Sequence, residues 1–299
     1  MPAALGSHRM PYPLPVPGAP LRVAFVGPGA TFSAHALHEA ASGVQPRFLD
    51  VRAGADPRSV RALLADAAPH VVIALGLESL PPAALEGVRA AVLAVVASDV
   101  PGPDPRTVDR VLRTPGPGGE PRWRSRPLPV DDRIFAPVRP AGGTPRALCI
   151  GRSTEHREWV LTPAKHTHDV THYAHGLTDM AFSDAMAAAD IGIALHPGPV
   201  HGFPSQAPLH LAAGHLLLSE RLAPACGLEA GIDFLEIDSR DALVALLTQL
   251  GWRPESFERV RVRGRLKAEA HRASRVWPRI MHDLLRDLAV FGTARTLHG

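Results

Sequence analysis

The sequence predicts an α/β protein with two parallel, Rossmann-like sheets. Three observations predict it. Short apolar runs recur along the chain, each bounded by Gly, Pro or Asp, and runs this short and apolar suit strands buried on both faces. Stretches of helical character separate them, so strand and helix alternate, which implies right-handed crossovers within a parallel sheet. The alternation occurs twice, over 21–130 and 131–276, with a Pro-stiffened segment at 128–137 that suits a domain boundary.

In chain order, residues 1–20 carry Pro11, Pro13, Pro15, Pro17 and Pro20 and are expected to form an extended, poorly ordered arm. The first domain opens with a strand at 22–26 and the turn Gly27-Pro28-Gly29. Thr31 or Ser33 is the expected cap of a helix running to about 41. Strands follow at 48–51, 70–75 and 91–97, with helices at 58–67 and 82–89 between them. The stretch 100–121 is rich in Pro and Gly and reads as loop, except for 108–113, and 123–126 is a further short strand. The second domain starts with a strand at 146–150 ending at Gly151. Arg152-Ser153-Thr154 then leads into a helix with Ser153 or Thr154 as its cap. A strand at 168–173 ends in the turn His175-Gly176-Leu177, and helix 178–188 leads to a buried strand at 191–195. After it come a helix at 206–213 stopped by Gly214, a strand at 216–218 and a last strand at 232–237. Helices close the chain at 240–250, 254–273 and 276–291.

Composition narrows the function classes. With 45% hydrophobic and 20% charged residues the chain is globular, not disordered. Lys165 and Lys267 are the only lysines, so the net charge of +3 is carried by arginine. Abundant Ala, Pro and Arg match the coding bias of a GC-rich genome, and the charge therefore predicts no nucleic-acid partner. The basic belt of Arg259, Arg261, Arg263, Arg265, Lys267, Arg272, Arg275 and Arg279 reads first as a solvated helix face and second as a peripheral contact with an anionic membrane. Cys149 and Cys226 lack CxxC spacing, no His/Cys cluster suggests a metal, and no apolar span or signal-like start is present, which points to a reducing, cytoplasmic setting.

The most informative stretch is 189–220. Asp190 and the run 191–195 predict a buried strand, and His196-Pro197-Gly198-Pro199 breaks the backbone at its carboxyl end. Ligands of open parallel sheets sit beyond the strand carboxyl ends, often against a helix N-terminus. His196, Gly198, Ser205 and Gln206 are therefore expected at an anion site. Gly27-Pro28-Gly29 lacks the full GxGxxG pattern of a dinucleotide fingerprint. The run FVGPGATFS also resembles the start of prephenate dehydratases, but their downstream Thr-Arg-Phe motif is missing.

Stretch 189–220 resembles the C-terminal half of GT-B glycosyltransferases, most closely the CgeB-like (spore-maturation) and family 4-like groups. There an Asp-led strand ending in His-Pro precedes a helix that grips the nucleotide-sugar donor. Ala212-Ala213-Gly214 matches the end of that helix. Gln206 stands where the family has Arg, Leu209 where it has the Glu that holds the ribose hydroxyls, and His210 is the substitute the resemblance offers. The run Leu128-Pro129 to Pro137 resembles the family's interdomain linker. The resemblance implies two Rossmann-like domains facing across a cleft, with 277–299 crossing back to the first.

It further implies transfer of a glycosyl group from a UDP-, dTDP-, GDP- or ADP-sugar to an unidentified acceptor, with no metal and no cofactor. Gly151, Arg152, Ser153, Arg157 and Lys165 occupy the place of the family's phosphate loop. His175 and Gly176 would pass the base. Gly27 and Gly29 would let substrate approach the backbone. His35 is the first candidate general base and Asp99 the second. Two rival readings share the fold: a sugar-nucleotide epimerase or hydrolase, and a non-catalytic scaffold. Neither a nucleophile elbow nor paired hydrolytic carboxylates are evident, and oligomeric state is not legible.

Overall fold

A strand covered on both faces needs apolar residues at every position. β3 (Val71–Leu75, VVIAL) and β4 (Ala91–Val96, AVLAVV) meet that requirement, and every residue in both is buried. A computed structural model of the chain describes residues 12–38, 43–52, 54–77, 80–97, 100–116, 124–139, 142–175, 177 and 179–295. The chain divides into two units. Unit 1 is Met1–Arg113, Pro121–Ser125 and Ala273–Gly299, and unit 2 is Thr114–Glu120 and Arg126–Arg272.

Unit 1 is a parallel sheet in the order β2-β1-β3-β4-β5-β6. The remaining strands are β1 (Leu21–Gly27), β2 (Val44–Asp50), β5 (Arg110–Arg113) and β6 (Arg124–Ser125). Helix α1 (Gly29–His35) follows β1, and α2 (Pro57–Ala67) joins β2 to β3. Asp56 caps α2 by accepting the Arg58 N–H at 3.1 Å, while Val60 and Leu64 pack inward. The last helix, α8 (Ala273–Phe291), belongs to this unit. Trp277, Ile280, Met281, Leu284 and Leu288 recur at helical spacing and are all buried. The Trp277 ring meets Phe25 edge-on, with centroids 5.4 Å apart, and its indole N–H donates to the His35 carbonyl at 2.7 Å.

Both ends of the described chain close on one buried carboxylate. The Asp109 side chain has 0% exposure. It accepts from the Tyr12 hydroxyl at 2.6 Å, from Val92 N–H at 2.7 Å, from Arg295 Nη1 at 3.2 Å and from the Thr293 hydroxyl. A buried charge survives only when paired and hydrogen-bonded, and this one is both.

Unit 2 is a parallel sheet in the order β11-β10-β9-β7-β8. Its strands are β7 (Ala147–Ile150), β8 (Val170–Tyr173), β9 (Ile191–Ala194), β10 (Leu216–Ser219) and β11 (Leu235–Glu236). Helices α3 (Glu155–Thr167), α4 (Asp179–Ala188), α5 (Gln206–Ala212), α6 (Arg240–Trp252) and α7 (Glu258–Ala268) complete it. Side chains of α3 and α6 share one core cluster with the strands, including Val160, Leu161, Ile193, Leu195, Leu218, Leu243 and Leu247. Helix α7 comes so close at Gly264 that a Cβ there would lie 2.4 Å from the Asp233 carbonyl.

Several expectations change. The arm is not loose throughout, because Tyr12 is 4% exposed and bonded to Asp109. Helix α1 ends at His35, where Ala36 turns extended, and its cap position is Pro28 with no side-chain bond, so neither Thr31 nor Ser33 caps it. The helix expected at 82–89 is a single 3-10 turn, Pro82–Leu85. The last strand shrinks to Leu235–Glu236. The linker is no contact-poor surface segment: Leu128, Val130 and Ile134 are buried, and Val130 N–H donates to the His271 carbonyl at 2.7 Å. Beside it, Arg272 lies 3.9 Å above the Phe135 ring and 3.3 Å from the Asp132 carboxylate.

The basic belt is largely internal wiring. Arg261 donates to the Gly214 carbonyl at 2.6 Å, Arg265 to Ala136 at 2.6 Å and Lys267 to Gly227 at 2.8 Å. Arg259, Arg275 and Arg279 are exposed. Among the described residues no helix is long and apolar enough to cross a membrane.

The Asp109 cluster sets the first prediction. Arg295→Met leaves a buried carboxylate unpaired and is expected to cost about 3–5 kcal/mol, whereas Tyr12→Phe removes one bond to a charged group and is expected to cost about 1.5–3 kcal/mol. Urea unfolding of the two variants measures both losses. A neutral Arg295→Met would refute the role given to this cluster.

Candidate functional site

In unit 2 the chain order of the strands reverses between β7 and β9, so the loops leaving these two strands diverge at their carboxyl ends, the end where open parallel sheets form their ligand crevice. Gly151 ends β7 with φ +124°. A Cβ at this position would lie 2.7 Å from Arg157 Nη1 and 2.9 Å from Gln206 Nε2. Glycine is therefore required on two counts, backbone conformation and space. Arg157 is buried on the first turn of α3. Its Nε and Nη2 donate to the Leu195 carbonyl at 3.2 and 2.9 Å, and Nη1 donates to the Arg152 carbonyl at 2.8 Å. One guanidinium thus ties the end of β9 to the loop after β7. Burial lowers its pKa from the usual arginine value. Arg152 itself is exposed and makes no ion pair among the described residues. Thr154 caps α3 by accepting the Arg157 N–H at 3.3 Å.

Glu220, directly after β10, makes a second tie. One oxygen accepts the His196 N–H at 2.7 Å, and the other accepts His156 Nε2 at 2.7 Å. His196 Nε2 lies 3.0 Å from the Arg221 carbonyl, which only an N–H can satisfy, so Nδ1 is the bare nitrogen of the neutral ring. Burial lowers the His196 pKa, and Glu220 opposes that shift. The His201 ring stands edge-on to it at 5.6 Å.

A third group supports the loop from below. Glu158 accepts from Ser153 Oγ at 2.6 Å and from Lys165 Nζ at 2.7 Å. These two bonds pull its pKa down to about 2. His172 bridges Glu158 at 3.1 Å and the Gly151 carbonyl at 2.8 Å.

Gly151, Arg157 and Gln206 meet, with Arg152 and His196 on the loops leaving the same strand ends. Ser153 and Lys165 are engaged with Glu158. Ser205 holds the cap position of α5 without a side-chain bond, and Gly198 has open space around its Cα. His175 is exposed, and Gly176 and Asp99 lie outside the described residues. His210 does not face the crevice. It is fully buried, packed where a Cβ on Gly192 would come within 2.2 Å of its ring, and its Nδ1 lies 3.0 Å from His215 Nδ1. In unit 1, Gly27 has φ +149° and a Cβ there would strike the Leu75 carbonyl at 1.9 Å. Gly29 N–H is taken by the Asp50 carboxylate at 2.9 Å. His35 is buried at the end of α1, and its backbone carbonyl accepts the Trp277 indole N–H.

No protein-family model and no curated protein sequence matches the chain. Solved structures do. AviGT4, a glycosyltransferase involved in avilamycin A biosynthesis, matches with TM-score 0.55 at 14% identity over 90% of this chain and 98% of that one. HepE from Anabaena, solved with UDP and glucose, matches with TM-score 0.55 at 11% identity over 90% and 100%. The fold is GT-B. Sucrose-phosphate synthase from Thermosynechococcus elongatus is a further GT-B match, with TM-score 0.51 at 13% identity over 89% and 98%. Local sequence pattern does not single out Glu220, His156 or the Glu158–His172 pair in this GT-B fold. A signal for Glu220 exists: an acid placed directly after a buried parallel strand falls at the ligand end of the sheet.

The buried His210–His215 pair yields a pH prediction. His215 Nε2 donates to the Met186 carbonyl at 2.8 Å, and burial lowers its pKa from 6.5 to about 4. Burial and the neighbouring His215 lower His210 as well. Both rings are neutral when folded, so stability is complete above pH 6.5 and is lost as pH falls toward 4, because the unfolded chain takes up the protons first. For His215 alone the loss approaches about 3 kcal/mol. Urea midpoints at pH 7 and pH 4.5 should differ accordingly, and by less in His215→Gln. An equal difference in wild type and variant would contradict the assignment.

Proposed function

We propose that the chain transfers a glycosyl group from a nucleotide sugar to an unidentified acceptor, with unit 2 holding the donor. The carrying observation is the junction of Gly151, Arg157 and Gln206 at the β7/β9 strand ends, with Arg152 exposed beside the start of α3. Unit 1 has the matching turn, but Asp50 already occupies its Gly29 N–H. An anion therefore finds open donors in unit 2. Backbone N–H groups at the start of α3 and the Arg152 guanidinium would neutralise the departing diphosphate, while buried Arg157 keeps the loop in place. The reaction in this reading needs no metal.

Leu209, where donor-gripping relatives carry Glu, is buried in the core. Glu220 is a carboxylate that does reach the strand ends, and we assign it the ribose hydroxyls. Asp99, three residues past β4, is the proposed acceptor-side base in place of buried His35. The Asp190-strand-His196-Pro197 segment supports a place near the CgeB-like group. The unpaired Cys149 and Cys226 suit the cytoplasm.

Thermal shift with UDP, GDP, ADP and dTDP tests the reading. A nucleotide at 100 times its Kd should stabilise by about 2.7 kcal/mol. Arg152→Gln should weaken that nucleotide about tenfold, and Asp50→Asn should leave it unchanged. Silence with all four would leave a non-catalytic scaffold. Sugar release without an acceptor would indicate a hydrolase.

A further inference from the structure

The end of the unit 1 sheet opposite Gly27 carries a cavity of about 720 Å³. It lies at the amino ends of β1, β3 and β4 and the carboxyl end of α2. Parallel sheets bind substrates at the other end, so this cavity is separate from the strand-end turns described above. Its size is that of a pocket for a compound of some twenty to thirty non-hydrogen atoms, a class of site that spans roughly 300–1,000 Å³.

Its lining has a definite chemistry. Leu64, Pro69, Val88 and Ala90 supply apolar wall. Arg22, Arg61 and Arg89 supply three cations against the single carboxylate of Glu86. Arg22 is held in place by its Nε, which donates to the Ala68 carbonyl at 2.8 Å, and among the described residues neither terminal nitrogen has a hydrogen-bond partner. Arg61 spends one N–H on the Ala83 carbonyl at 3.2 Å, and Glu86 stands 4.0 Å from it. Arg89 is exposed and makes no ion pair among the described residues. A second cavity of about 260 Å³ shares Arg22, Ala68 and Pro69 with the first, so the Arg22 head borders both.

The wall is also built in advance. Arg295 donates to the Ala90 carbonyl at 3.0 Å and to the Val88 carbonyl, and is itself fixed by buried Asp109. Tyr12, bonded to the same Asp109, delivers the neighbouring Pro13 to the rim. An anchored apolar wall beside guanidinium groups that keep spare N–H donors suits one ligand chemistry: an apolar body carrying a single carboxylate or sulfonate.

We propose that this cavity binds a small amphipathic organic anion, independently of any nucleotide bound by unit 2. The probe is 8-anilinonaphthalene-1-sulfonate, titrated by fluorescence into the full folded chain, with octanoate and octan-1-ol as competitors. The expected result is one saturable site from which octanoate displaces the dye at least tenfold better than octanol. The double variant Arg61→Gln/Arg89→Gln and the filling variant Ala65→Trp should each weaken the dye tenfold or more. Residues 61, 65 and 89 are partly or fully exposed, and unchanged circular dichroism would show that the variants fold. Equal competition by octanol, unchanged affinity in both variants, or displacement of the dye by UDP would each overturn the proposal.

Discussion

The Arg157 guanidinium is the interaction on which the candidate site depends. A cation removed from water needs its N–H groups occupied, and Arg157 finds carbonyls on two different chain segments, Leu195 and Arg152. Those carbonyls belong to the strand ends that border the switch point, so satisfying one side chain fixes the spacing between β7 and β9 at their ligand end. Lysine would not do this. Its ammonium is a single point of charge, whereas the guanidinium fork reaches two directions at once. Gly151 is a consequence of the clamp, because Arg157 and Gln206 fill the space its side chain would take. Cys149, one residue inside β7, lies in the same dry environment, and burial raises its thiol to about 12, leaving it an inert core residue despite the nearby charge.

The two sheets share a topology yet differ at the turn that matters. Each places its first strand beside the second and third, and each ends that strand in a glycine of positive φ, Gly27 or Gly151. After Gly27 the following helix receives a carboxylate from its own chain, Asp50, on the Gly29 N–H. After Gly151, among the described residues, the nearby carboxylates meet side chains instead of the first backbone N–H groups of α3: Glu158 takes Ser153, Lys165 and His172, and Glu220 takes the His156 ring. A helix start whose N–H groups already hold an anion is electrostatically satisfied, while open N–H groups favour an incoming anion. The repeated fold element thus differs in where its neighbouring acids bond: on a backbone N–H after Gly27, on side chains after Gly151.

What the sequence revealed follows the same physics. Buried parallel strands announce themselves, because β3, β4 and β9 are apolar throughout and β10 up to its last residue, Ser219, and their positions are legible to within a residue or two. The alternation then gave both sheets. Local propensity extends α1 to about residue 41, whereas the helix ends at His35, whose carbonyl takes the indole N–H of Trp277, far away in sequence. The linker looked exposed because Pro, Asp and Arg dominate it, but Phe135 takes Arg272 on its face and Val130 joins His271 through the backbone. His210 departs from its expected place for a related reason. A histidine on a short helix looks available until Gly192 is seen to make room for the ring in the core. In each case the deciding partner is remote along the chain, and local pattern carries no trace of it.

The abundance of arginine has a structural meaning beyond coding bias. Helix ends and loop corners expose carbonyls that no backbone N–H can reach, and each buried one needs a donor. In this chain arginines repeatedly supply it: Arg22 to Ala68, Arg113 to Val100, Arg157 to Leu195, Arg261 to Gly214, Arg265 to Ala136 and Arg295 to Ala90. Short loops rich in Pro aggravate the shortage, because each proline removes a backbone donor. Long, forked, permanently charged side chains remedy it from a distance. Such a side chain is anchored by one or two N–H groups and keeps others for an outside anion. Arg22 is in that state, tied through Nε alone at the mouth of two cavities. The habit that holds the loops therefore also decides where this chain can meet negative charge.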